Sequence, residues 1–116
     1  MRKSLLVALS AFVLLGGAIA ATPPKLNEKA LKAALEDRLK DAESVKFKDI
    51  TYSPTDSANM WNMCGQMNAK NSYGAYVGYQ RFYALVAQIE KGKPPHYSVF
   101  SIEDNIATQM CAKFGL

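Results

Sequence analysis

CGQMNAKNSYGAYVGYQRF, residues 64–82, sets how the rest of the chain is read. Gly65, Gly74 and Gly78 suit backbone at positive φ or in close approach to a neighbour. Asn68, Asn71 and Ser72 can hydrogen-bond nearby main chain, replacing ladder bonds that a turn gives up. The stretch from Asn68 to Ala75 therefore reads as a structured loop between two strands. One strand is predicted over Met60 to Met67, the other from Tyr76 to about Gln88. Alternation in the second puts Val77, Tyr79, Tyr83 and Leu85 on one face and Tyr76, Phe82, Ala84 and Val86 on the other.

Upstream of this hairpin, Val45 to Lys48 alternates as a strand, and Ile50 to Tyr52 alternates on the opposite parity. A bulge near Asp49, or two partly covered faces, reconciles them. Ser53 to Ser57 is a turn signal. Before the strand, Leu31, Leu35 and Leu39, with Ala34 and Ala42 beside them, form one stripe of a helix predicted from an Asn27 cap to about Asp41. Glu28–Lys32 and Glu36–Lys40 have the spacing and order that support it as a solvated face.

Downstream, Glu90 to Pro95 is a loop and Tyr97 to Phe100 a further strand. Ser101 with Asp104 resembles a capping pair, and Ile106, Met110 and Phe114 mark the expected buried side of a last helix, with Cys111 beside it. The order α-β-β-β-β-α with short connections predicts an α+β fold: an N-terminal helix, an antiparallel sheet of three to four strands and a C-terminal helix, both helices on one face.

The first residues read as an export signal. Arg2 and Lys3 precede the apolar run LLVALSAFVLL (residues 5–15), and Ala18-Ile19-Ala20 has the small-x-small pattern of a cleavage site. The run falls short of the roughly 20 residues of a spanning helix, and Pro23-Pro24 stop it. The expectation is a signal peptide over residues 1–20 and one domain over 21–116, periplasmic or secreted; an uncleaved N-terminal anchor is the other reading. Cleavage lowers the formal charge of +4 by the two charges of Arg2 and Lys3. That balance is too small to argue for nucleic acid as a partner.

The chain has two cysteines, Cys64 and Cys111. In an oxidising compartment they form the one available intramolecular disulfide, which would tie the last helix to the sheet. A redox-active thiol or a metal site is the alternative, though the pair lacks CxxC spacing and the chain has one histidine.

Chemistry has few candidates. His96 follows two prolines in a loop, Lys70 with Ser72 lacks the SxxK arrangement, and Glu90, Glu103 and Asp104 show no paired acid–base spacing. No phosphate loop, HExxH or EF-hand pattern occurs. No catalytic residue, metal or cofactor is expected. The binding candidates are Asn68, Lys70, Asn71, Tyr73, Tyr76, Tyr79 and Arg81, whose cationic and aromatic groups suit a sugar, an anionic polymer or a protein. Alternation would send Tyr76 and Tyr79 to opposite faces, so only part of this set would share a surface.

Residues 64–82 resemble the pattern Cys-Gly-x-x-Asn-x-Lys-Asn-x-x-Gly-x-Tyr-x-Gly-x-x-x-Phe of a group of small exported bacterial proteins of unknown function. DAESVKFKDITY (residues 41–52) resembles that group's Asp-x-x-Ser-x-x-Phe-x-x-[Val/Ile] lead into the first strand, and a cysteine such as Cys111 is typical. The resemblance covers about Leu35 to Cys111. It implies a periplasmic or anchored protein; this chain has no cysteine for lipid attachment. It carries over no catalytic residues. The reading is a non-catalytic envelope protein that binds a macromolecule, as an inhibitor or immunity protein does. The alternative is a peptidoglycan- or polyanion-binding module using Lys70, Arg81, Lys91 and Lys93. A small enzyme is the third.

Overall fold

A computed structural model describes residues 22–102 and 105–116. The expected signal segment, residues 1–20, and the acids Glu103 and Asp104 lie outside the described residues. Helix α1 (Glu28–Ala34) leads through a short 3-10 turn (Ala42–Ser44) into β1 (Lys46–Pro54), β2 (Met60–Asn68), β3 (Gln80–Ala87) and β4 (His96–Ile102), followed by α2 (Asn105–Lys113). The strands form one antiparallel sheet in the order β1-β2-β3-β4. The fold is α+β.

Asn27 caps α1 as its side-chain chemistry dictates, its Oδ1 accepting from the Ala30 amide at 2.9 Å. The helix stops well before Asp41. The chain instead tightens into turns, with Leu35, Glu36 and Arg38 amides each bonded three residues back. The Glu36–Lys40 spacing thus falls outside the helix. Arg38 is carried to the sheet edge, where its Nη1 donates to Val99 O at 2.6 Å.

Strand β1 carries the expected bulge. Its pairing with β2 shifts between Lys48 and Thr51, and Asp49 sits at φ 55. The extra residue lets Phe47, Ile50 and Tyr52 all pack on one core despite their parity. A second irregularity, between Tyr83 and Ala84, does the same for Tyr97, Val99 and Ile102 of β4.

The helices lie on opposite faces of the sheet, not on one. Adjacent residues of β2 show why. Met63 joins the core formed by Leu31, Leu35, Trp61, Met67, Phe82, Ala84 and Val86 beneath α1. Cys64 points the other way and meets Tyr83, Ala107 and Cys111 beneath α2. The Cys64–Cys111 disulfide spans that second layer with its Cα atoms 6.0 Å apart. The buried side of α2 is therefore Ala107 and Cys111, flanked by Met110 and Phe114, while Ile106 is exposed. Ser101, expected as a helix cap, is a buried residue of β4.

One polar group in the larger core carries a testable pH dependence. The Tyr52 hydroxyl is buried with no hydrogen-bond partner among the described residues. Burial, with the neighbouring Tyr97, pushes its pKa from 10.0 up to about 12. The folded state keeps a proton that the unfolded chain releases near pH 10. This contribution to stability is intact below pH 10 and drains away as pH rises through about 12. Tyr52→Phe removes that alkaline loss and deletes an unsatisfied hydroxyl, so urea unfolding at pH 7 should show a gain of about 1 kcal/mol.

Candidate functional site

β2 ends at Asn68 and β3 begins at Gln80, so the predicted start of β3 at Tyr76 is too early. Gly74 at φ 79 and Gly78 at φ 106 break the pleat, and an isolated bridge between Lys70 and Tyr76 is all that remains of the ladder there. Side chains supply the missing bonds. Asn68 Oδ1 accepts from the Gly78 amide at 3.0 Å. Asn71 Oδ1 accepts from the Tyr73 and Ala75 amides at 2.9 and 3.2 Å. The Asn71 amide reaches Ala75 O at 2.9 Å, and the Gly74 amide reaches Asn71 O at 3.0 Å. The tip is tied into one conformation, and Tyr73 stands on it 93% exposed.

The base of the loop folds back onto β1. The Tyr76 hydroxyl donates to Ser44 O at 2.8 Å, and Ser44 Oγ accepts from the Lys70 amide at 3.0 Å. The Lys46 ammonium lies 4.6 Å from the centre of the Tyr76 ring, and Lys70 lies 5.6 Å from it. Lys48 sits over Tyr79 at 4.1 Å. Each contact is worth about 0.5–1 kcal/mol at an exposed site. Lys46 and Lys48 flank the inward-facing Phe47, so both rise from one side of β1. Tyr76 and Tyr79 consequently share a surface. The expectation of opposite faces fails because residues 76–79 are loop, where the period of two does not hold.

The structure thus gathers Lys70, Tyr73, Tyr76 and Tyr79, with Asn68 and Asn71 acting as the loop's internal supports. Arg81 stands apart. It lies in the cross-strand row Lys48–Gln66–Arg81, and its Nη2 donates to Leu116 O at 2.8 Å. Lys91 and Lys93 follow the far end of β3, an eight-residue strand of about 26 Å, so they do not join Lys70 and Arg81 on one surface. Sequence reasoning missed Lys46 and Lys48. Alternation around Phe47 marks them as outward-facing, but nothing local places a tyrosine on each.

The other chemical candidates are dispersed. His96 is the exposed first residue of β4, and Glu90 lies in the β3–β4 loop. Both sulfurs are in the disulfide, so neither cysteine offers a thiolate. Among the described residues, no three His, Cys, Asp or Glu side chains group as a metal site, and no helix is long and apolar enough to cross a membrane.

The chain matches no family model, no curated protein and no solved structure. Cys64 and Phe82 build the two cores, and Gly65 leaves space for Ile50 and Phe82. Asn68, Lys70, Asn71, Gly74, Tyr76 and Gly78 shape the loop and its base. The Tyr73 amide is held by Asn71 Oδ1, while its side chain stands out from the loop.

Proposed function

We propose that this chain is an exported, non-catalytic binding module of the inhibitor or immunity type. Its loop, residues 69–79, backed by Lys46 and Lys48, docks on a macromolecule of the cell envelope. The observation that carries this reading is Tyr73, almost wholly exposed on a hydrogen-bonded tip. A side chain that contributes so little to the fold is free to contribute to contact. Large amphipathic aromatics dominate interface energetics, and a loop ordered beforehand loses less entropy on docking. The signal-like start, the disulfide and the resemblance to small exported proteins support export.

A peptidoglycan- or polyanion-binding role is the second reading, favoured by the clustering of Lys46, Lys48 and Lys70 around Tyr76 and Tyr79. Two assays separate them. Purified sacculi would sediment a wall binder, and immobilised chain would retain a stoichiometric protein from envelope extract if the partner is a protein. Tyr73→Ala should weaken binding by about 30-fold, the loss of one anchor of about 2 kcal/mol, with the melting temperature unchanged. Wild-type binding that survives Tyr73→Ala would refute the loop as the contact. Turnover that depends on pH and vanishes with Lys70→Ala or His96→Ala would replace this reading with an enzyme.

A further inference from the structure

We infer that the partner is a protein with a carboxylate-rimmed cleft, which Tyr73 enters while Lys46, Lys48 and Lys70 pair with the rim. This deepens the loop-docking reading and rests on it. Two features favour a protein over a polymer chain. The surface is a protrusion, since every residue from Asn71 to Tyr79 is exposed, whereas small ligands are held in pockets and charged strands such as nucleic acids in grooves. The rings of Tyr76 and Tyr79 are already stacked by lysines, which reduces the bare aromatic platform a sugar would use.

The charge identifies the rim. Three ammonium groups stand at the base of the loop, and the acids nearest in sequence are Glu43 and Asp49. Asp49 Oδ2 already accepts from Gln66 Nε2 at 3.1 Å. The excess is positive. Lys46 and Lys48 are two residues apart on one strand face, so their stems emerge about 7 Å apart. Stacking on tyrosine restricts both chains before docking, which lowers the entropy lost on pairing. Charges at the edge of a contact act mainly on the association rate and are screened by salt, while a buried aromatic anchor acts on dissociation.

The test uses the full exported chain, immobilised, with envelope extract, purified sacculi and heparin as probes. Any retained protein is identified by mass spectrometry and purified for kinetics. K46E/K48E should slow association at least tenfold, K46Q/K48Q should slow it less, and Tyr73→Ala should speed dissociation. Wild-type association should fall at least tenfold from 0.05 to 0.5 M NaCl. A retained protein indifferent to both lysine variants and to salt would overturn the acidic-cleft inference while leaving the loop-docking reading in place. Lysine-dependent retention on heparin or sacculi, with no protein captured, would assign the face to a polymer. Retention by none of the probes would sink both.

Discussion

The C64A/C111A chain should unfold about 4 kcal/mol more readily than the oxidised wild type, lowering the melting temperature by about 20 °C. The bond joins residues 47 apart, so its removal releases a large loop in the unfolded chain. The native layer it leaves behind is thin. α2 has nine residues, too few to hold as an isolated helix, and its buried side is Ala107 and Cys111 with Met110 and Phe114 at the margin. Phe114 stacks on Tyr83 with ring centres 5.9 Å apart, and Tyr83 in turn donates to the buried Asn62 Oδ1 at 2.7 Å. Those contacts keep the helix in place but cannot replace the covalent tie. The loss should be uneven. Amide exchange should accelerate in α2 well before it does in Met63 and Phe82. A shift of less than 5 °C, or uniform exchange, would show that α2 docks through its side chains alone.

Gly65→Val should cost about 3 kcal/mol in urea unfolding, although valine suits a central strand. The reason is space. A Cβ at residue 65 would lie 2.5 Å from Ile50 Cδ1 and 3.0 Å from Phe82 Cε1. Phe82 is fully buried and meets Phe47 edge-on at 6.2 Å, so it has little freedom to retreat. Ile50 can yield at its tip. The double variant G65V/I50A should therefore recover part of the loss, with a coupling of at least about 1 kcal/mol in a double-mutant cycle. Additive losses would mean that Ile50 is not what fills the space above Gly65.

Gly65 could be marked from sequence as a site of close approach, but not the side chain that approaches it. The bulge at Asp49 was legible because two short alternating runs of opposite parity must be reconciled somewhere between them. The Asn27 cap was legible because capping depends on a side chain and an amide three residues away. Leucine spacing overstates the length of α1, because it continues past Ala34, where three-residue turn bonds end the helix. The lysine–tyrosine cluster was half legible: composition singles out the tyrosines and Lys70, while Arg81 bonds to Leu116 and no local signal brings Lys46 and Lys48 onto the tyrosines.

Residue order alone was enough for the strand succession, the glycine-shaped loop and the single possible pairing of two thiols, because each depends on near neighbours or on simple counting. It could not say that the two helices cover opposite faces, nor that Tyr76 and Tyr79 lie together on lysines of β1. Those arrangements join residues roughly thirty or more positions apart, and they follow from which buried surfaces pack best once the sheet exists.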